Sequence, residues 1–403
     1  MSSDTAQLAE RVLRQNWRDG DREGVPYAYT SPSPHRYPWQ WYWDSCFAAI
    51  VWRRFDSARA RAELETLLRA QRTDGFIGHT IFWDRPLTFP RLAFYNVATR
   101  DAFTTATIQP PLLAWAWRIA VGDPGAEPRI AAHVEWLSSH RDLEGDGLLW
   151  ILQPDESGLD ASPKFDPVWG WRANARIGFP LLVRRNRRLG FDARRVLGAG
   201  GPVLCEVVTN VLWGLSLLAM GRPSITPALV ERLWDPSRGL FFDQALPSGT
   251  QPRVATWASL APLALPDLPQ EIGRRLVEQH LLDRESFWTP VPPPSVSARE
   301  PSYEPGGGHG LVRRYWRGPT WVNAAWLLWI GLRRLGFEAE AEAMAAALAG
   351  AARSEGLREY YDPRGGAGLG AHDFAWSALV AELADPDPAA RHSYISAAKT
   401  EPG

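Results

Sequence analysis

The 403 residues predict an all-α protein whose helices close as hairpins into an (α/α)6 barrel, with long loops over the barrel mouth. Three observations predict it. Helical periodicity dominates, with about twelve candidate helices by the spacing of apolar residues. These helices come in two kinds, one apolar on a single face and one apolar nearly all round, as the outer and inner members of a ring must be. A turn followed by an apolar run recurs behind several of the one-faced helices, at TDGFI (73), GDGLLW (145) and SRGLFF (237), which implies a repeating helix, turn and helix unit.

Asp56 to Ala70 (DSARARAELETLLRA) and Pro269 to Leu282 carry one apolar stripe against a charged face and read as outer helices, with Asp56 placed as an N-cap. Pro202 to Met220 (PVLCEVVTNVLWGLSLLAM) and Pro319 to Ile330 (PTWVNAAWLLWI) read as inner ones. A two-domain helical protein is the competing architecture, but no Ser/Gly-rich linker divides the chain. Residues 1–383 therefore read as a single domain and residues 384–403 as a loose C-terminal tail. The Pro- and Gly-rich stretch Asp283 to Arg314 reads as a lid over the mouth, since structureless loops of that length in compact domains serve function or stay disordered.

Composition removes several functions. Lys plus Arg (44) balances Asp plus Glu (45) with no basic block, so no nucleic-acid partner is expected. MSSDTAQLAERVLRQNW has acidic residues and no apolar run, unlike a secretory or transit segment. No stretch approaches about eighteen uninterrupted apolar residues, so no membrane span is expected. The two cysteines, Cys46 and Cys205, lie in apolar runs read as helical and lack CxxC spacing. They read as small core residues, which points to a cytoplasmic protein with no metal or other cofactor.

Twenty-one tryptophans are the anomaly. An indole joins a flat apolar face to one N–H donor, and a sugar offers the matching surface of C–H faces ringed by hydroxyls. A Trp-rich core would have the same composition. YPWQWYWD, from Tyr37 to Asp44, concentrates the signal. In an extended chain Trp39, Trp41 and Trp43 would form one aromatic wall, with Gln40, Tyr42 and Asp44 facing away. YWRGPTW places Tyr315, Trp316 and Trp321 at the start of an inner helix, with Pro319 near its first turn.

Glycoside hydrolysis needs two carboxyls, one protonated to expel the leaving oxygen and one ionised to activate water or attack carbon. Asp160, in the turn-rich DESGLDASP between Leu159 and Ala161, has an apolar setting that would keep it protonated. An ordinary Asx-rich turn would read the same way. Glu359, in LREYYD, precedes a glycine-rich run from Gly365 to Gly370 that lets backbone approach a ligand closely.

Taken together, YPWQWYWDS at 37, IQPP at 108, ESGLDASP at 156, YWRGPTW at 315 and REYYDP at 358 with FAWSA at 374 resemble glycoside hydrolase family 63. The match is to its bacterial glucosylglycerate and mannosylglycerate hydrolases. The resemblance implies the (α/α)6 barrel and inverting hydrolysis of an α-glycoside, with Asp160 as general acid and Glu359 as general base. It implies substrate contacts from Tyr37, Trp41, Trp43, Asp44, Gln109, Tyr315, Trp316 and Trp321, and a backbone contact from Gly158. A glycerate carboxylate would need a cation, and Arg194 in RRNRRLGFDARR is the candidate by chain order, although arginines in such a run also suit a solvated helix face. The expected partner is a small glycoside, with homo-oligomers possible as in related enzymes. The other functions weighed are a broader α-glucosidase, a sugar phosphorylase, a sugar epimerase, which would want histidines inside the barrel where these eight are scattered, and a non-catalytic sugar-binding protein.

Overall fold

The structure is a computed structural model that describes residues 2–84, 87, 95–99, 102–170, 178–306 and 315–384. The expected tail, apart from Ala384, and the Gly307 to Arg314 part of the expected lid lie outside the described residues.

The two kinds of helix are present. Ser57–Arg69 is an outer one: the Asp56 side chain caps it by accepting from the Arg59 N–H at 3.1 Å, and Leu64, Leu67 and Leu68 turn inward while Glu65 pairs with Arg69 outside. Tyr42–Trp52 is an inner one, buried along its whole length. It packs on Leu113–Ala120, which packs on Val207–Ala219, then on the 3-10 segment Trp257–Ala264, then on Val322–Leu335, then on Ala375–Leu379, which returns to Tyr42–Trp52. Among the described residues these contacts run in a closed circle. Pro262 within Trp257–Ala264 has no N–H to give an α-helical ladder, which suits the tighter 3-10 form there. Ser2–Asn16, Ser57–Arg69, Glu127–Arg141, Thr226–Leu233, Gln270–Leu276 and Glu338–Glu355 alternate with the inner segments along the chain. Ser2–Asn16 packs on Glu338–Glu355 and on Val380–Ala384, the last helix among the described residues, and buried Glu382 takes two Arg53 hydrogen bonds of 2.8 and 3.0 Å.

Three sequence expectations need correction. The helix expected from Pro202 begins at Val207, because the buried Glu206 carboxylate accepts from the Val208 and Thr209 N–H groups and fixes the helix start there. Val203–Cys205 is instead a strand between Trp150–Ile151 and Gln244–Leu246, so Cys205 is a core residue of a strand. Only Gln40–Trp41 of the tryptophan segment is extended, and the helix starting at Tyr42 replaces the two-residue alternation with helical rotation. Trp43 is therefore turned toward Trp376, while Trp39 packs on Phe82 and, like Trp41, on Tyr95. The first half of the expected lid is also built in: Phe287, Val291 and Val296 are buried, Val291 N–H donates to the Pro363 carbonyl, and Ser295 N–H to that of Pro319.

Buried Glu63 fastens this frame near the tryptophan segment, accepting from the Thr30 N–H (2.7 Å), the Thr30 hydroxyl (2.6 Å) and the Ser45 hydroxyl (2.5 Å). Burial pushes its carboxyl up to about 7. The folded chain thus holds this proton more tightly than the unfolded chain, so stability is greatest below the unfolded value near 4.5 and falls as pH rises toward 7. Glu63→Gln should flatten that fall, worth about 3 kcal/mol at most, in urea titrations at pH 5 and pH 8. An unchanged pH slope would show that Glu63 does not titrate with folding.

Candidate active site

The chemistry-bearing segments converge at the N-terminal ends of the inner helices. Gln40–Trp41 runs straight into Tyr42–Trp52, Val203–Cys205 leads into Val207–Ala219, and Thr320, just before Val322–Leu335, bridges to Tyr361 of the strand Arg358–Tyr361. The Asp160 turn follows Trp150–Ile151, which is paired with Val203–Cys205. Sheet pairings thus carry residues far apart in sequence to one end of the bundle.

Glu359 lies on Arg358–Tyr361 and is fully buried. Its Oε1 accepts from the Tyr315 hydroxyl, which lies 3.1 Å from the Tyr37 hydroxyl. Its Oε2 accepts from the Ala371 N–H at 2.8 Å, with the Arg36 guanidinium 3.5 Å away. The paired strand Gly368–His372 comes this close because Gly370 has φ +70° and no Cβ, where a Cβ would strike the Glu359 side chain. Fixed donors on both oxygens are what a group that takes a proton from water needs for orientation.

Asp44, in the first turn of Tyr42–Trp52, is buried and close enough to Glu359 and Glu63 to feel both charges. Burial first, and those charges second, push its carboxyl well above the ordinary range, favouring a protonated form that can donate to a sugar hydroxyl. Trp43 beside it sits against Gly158 of the Asp160 turn, where φ is +72° and a Cβ would strike the indole. The Gln109 side-chain carbonyl accepts from the Trp43 N–H at 3.0 Å. Trp43 thus touches the Asp160 turn, and Asp44 beside it lies within electrostatic reach of Glu359.

Asp160 is half-buried between the buried Leu159 and Ala161, in a turn closed by Gly158 N–H to the Asp155 carbonyl and Ser162 N–H to the Leu159 carbonyl. Glu156 anchors this turn. It takes two bonds from buried Arg141 (2.7 and 2.6 Å) and the N–H groups of Ile108 (3.0 Å) and Leu152 (2.9 Å), tying the turn to Gln109's neighbour. Four residues past Asp160, buried Lys164 pairs with Glu206 and lies 3.0 Å from Asp243, binding the far end of the turn to the inner helix it abuts.

The aromatic residues form a connected wall. Trp41, partly exposed, meets Tyr37 (6.0 Å) and His79 (5.0 Å) edge-on. Tyr315 abuts Trp321, which stacks on Trp316 at 3.9 Å and 8° and contacts Trp376, itself edge-on to Trp43. Trp316 and Trp321 are fully buried here, so they back the site as a stack. Arg194 stands apart: it is exposed on Ala193–Gly198 and its guanidinium bonds the Asp142 carbonyl at 2.8 Å, so the structure does not bring it to this cluster. A short helix beginning at its cap Asp192 turns it toward the Asp142 turn.

Several residues at the site have no plain sequence signal. His79, held neutral by burial that pushes its imidazole down to about 3, lies beyond any motif and reaches Trp41 only through the pairing of Gln40–Trp41 with Thr80–Ile81. Arg36 and Trp376 adjoin or fall within recognised segments, YPWQW and FAWSA, and could have been drawn from them. Among the described residues no group of three or more His, Cys, Asp and Glu side chains is placed to hold a metal ion, and no helix is long and apolar enough to cross a membrane.

Comparison with known proteins gives one consistent family. The model of the mannosylglycerate hydrolase MGH1-like glycoside hydrolase domain matches residues 37–200 and 221–377. A mannosylglycerate hydrolase of Thermus thermophilus is 31% identical over 93% of this chain and 98% of its own length, and one from Rubrobacter radiotolerans is 30% identical over 92% and 94%. A glucosylglycerate hydrolase of Mycolicibacterium hassiacum is 25% identical over 87% and 92%. The crystal structure of the family 63 mannosylglycerate hydrolase from Thermus thermophilus with glucose superposes with a TM-score of 0.77 at 30% identity, covering 94% of this chain and 99% of that one.

Proposed function

Because this chain belongs to the mannosylglycerate hydrolase MGH1-like family and is a glycoside hydrolase, we propose that it hydrolyses 2-O-(α-mannosyl or α-glucosyl)-D-glycerate with inversion, through Asp160 as general acid and Glu359 as general base. The observation that carries this reading is that a turn with a half-buried Asp160 meets Trp43 through Gly158, while a strand with a buried, doubly hydrogen-bonded Glu359 lies within electrostatic reach of the adjoining Asp44. The closed circle of inner segments and the alternating outer helices support an (α/α)6 barrel, with residues 1–383 as one catalytic domain.

In this mechanism Asp160 gives its proton to the glycosidic oxygen as the bond to the anomeric carbon breaks. Water attacks that carbon from the opposite face and passes its proton to Glu359, which Tyr315 and the Ala371 N–H hold in place. Glycerate and the β-hexose leave, and solvent returns the proton from Glu359 to Asp160. Tyr37, Trp41, Trp43, Asp44, Gln109, Tyr315 and the Gly158 backbone would line the hexose and its aglycone, with Trp316 and Trp321 stacked behind Tyr315. Arg194 is left out of this set on its geometry.

Inverting enzymes leave room for water, with carboxyls about 6.5–9.5 Å apart, whereas retaining ones bring them to about 5–5.5 Å. Proton NMR during turnover should therefore show the β-anomer of the hexose first, with mutarotation following. Both glycerate substrates and neutral α-glucosides belong in the assay, and turnover is expected on a glycerate substrate above all. First release of the α-anomer would remove the base role from Glu359, and faster turnover of neutral α-glucosides would replace the glycerate reading with a broader α-glucosidase.

A further inference from the structure

We propose that the ion pair between Arg317 and Asp166 is a positioning contact of the reaction: it fixes the turn that carries Asp160 against the segment that holds Glu359, and so sets the gap in which the sugar and the attacking water sit. The inference rests on the reading of Asp160 as acid and Glu359 as base. It gives a role to the arginine of YWRGPTW, which the reaction as written does not use.

The segment from Tyr315 to Thr320 belongs to the base. At one end the Tyr315 hydroxyl donates to the Glu359 carboxylate, and at the other Thr320 and Tyr361 exchange both backbone hydrogen bonds at 2.9 Å. Between these ends the Glu304 N–H donates to the Arg317 carbonyl at 2.7 Å, and the Gly318 N–H to the Ser295 hydroxyl at 2.9 Å. Glu304 comes this close because residue 318 is glycine, where a Cβ would strike the Glu304 backbone. The backbone that bears Arg317 is thus fixed relative to Glu359.

Asp166 belongs to the acid. The Ser162 N–H bonds the Leu159 carbonyl at 3.0 Å and the Phe165 N–H the Ser162 carbonyl at 3.2 Å, and the 3-10 turn Pro163–Phe165 runs without a break into the helix Asp166–Trp169. Pro163 and Pro167 lock their own φ, and Phe165 between them is buried. Continuous hydrogen-bonded backbone therefore leads from the Asp160 turn to Asp166.

Arg317 Nη2 lies 2.7 Å from each Asp166 oxygen, with 15% of the arginine and 26% of the aspartate side chain exposed. A sheltered, charge-assisted contact of this kind holds better than an ion pair in open solvent. The other anchors of the acid turn lead elsewhere. Asp155 accepts from Gln153 Nε2 at 2.6 Å and from Asn96, Glu156 takes Arg141, and Lys164 reaches Glu206 and Asp243. None of these partners lies in the segments that hold Glu359, so the charged contact at Asp166 registers acid against base. An offset of about 1 Å between reacting groups can cost about a hundredfold in rate.

The test uses the full chain and two substrates, the glycerate glycoside that it turns over and the corresponding α-hexosyl fluoride, whose leaving fluoride needs no proton. Asp166→Asn and Arg317→Gln should each lower kcat on the glycerate substrate by about tenfold or more, with KM changed less than about threefold. On the fluoride the fall should stay below about threefold, because Glu359 keeps Tyr315 and the Ala371 N–H while the displaced acid is not needed. Since the two side chains make one contact, the double variant should match the worse single within about threefold. A fall below about tenfold on the glycerate substrate, equal falls on both substrates, or single effects that multiply in the double variant would overturn the proposal and leave the pair a merely structural tie. Should either single variant not fold, Arg317→Lys, which keeps the charge but not the planar fork, must show a larger fall on the glycerate substrate than on the fluoride, and equal falls there overturn the proposal as well. Failure of the underlying reading looks different: Asp160→Asn would then keep its rate on the glycerate substrate whatever the ion pair does.

Discussion

Replacing Glu359 by Gln should lower turnover by about a thousandfold or more, because a positioned proton-transfer group contributes roughly 10²–10⁴ and the uncharged amide cannot accept a proton from water. Its burial and its bonds to Tyr315 and Ala371 favour retention of the fold, since the amide oxygen can still accept one of them. Asp160→Asn should cost a similar factor on the glycerate substrate but far less on the α-hexosyl fluoride. Glu359→Gln should lose activity on both, because water must be activated whichever group leaves. This difference assigns the two roles without reference to any related enzyme. A near wild-type rate for either variant on the glycerate substrate would mean that the carboxyl in question is not a catalytic residue.

Arg141→Met should destabilise the protein by about 3–5 kcal/mol, the cost of leaving a buried carboxylate without its cation. Arg141 is 1% and Glu156 0% exposed, so their bidentate contact is shut off from bulk solvent. Glu156 also holds the N–H groups of Ile108 and Leu152, so disturbing it reaches Gln109 and the Asp160 turn together. Urea unfolding should show the loss, and turnover of the surviving folded fraction should fall as well. A change below about 1 kcal/mol would indicate that Glu156 is satisfied by its backbone donors alone.

The amphipathic and all-round apolar helices were legible because burial on one side or all sides writes directly into the period of apolar residues, and the Asp56 cap because it acts within one turn. Asp160 and Glu359 were picked out by the ordered motifs that carry the family resemblance. Glu156 stood in one of those motifs but gave no sign of anchoring it, because its partner lies on the outer helix Glu127–Arg141 and nothing in the spacing says that the two segments meet. The tryptophan wall was misread for a related reason. Alternation assumes an extended strand, and a helix entering at Tyr42 takes Trp43 to Trp376, away from Trp39 and Trp41, which share Tyr95.

The sequence by itself therefore determined where the one-faced and the enclosed helices lie, apart from their ends, and marked the segments that carry the candidate side chains, since each of these depends on residues within a few turns of one another. Only the tertiary structure decided that Glu359 meets Tyr315 and Arg36, that Trp43 presses on Gly158, that Asp155 is gripped by Asn96 and Gln153, and that Arg194 lies on the Asp142 turn. The physical reason is the same in each case. Such a contact is fixed when strand pairing and inner-helix packing bring distant backbones within a few ångströms, and a local pattern carries no record of which backbone that will be.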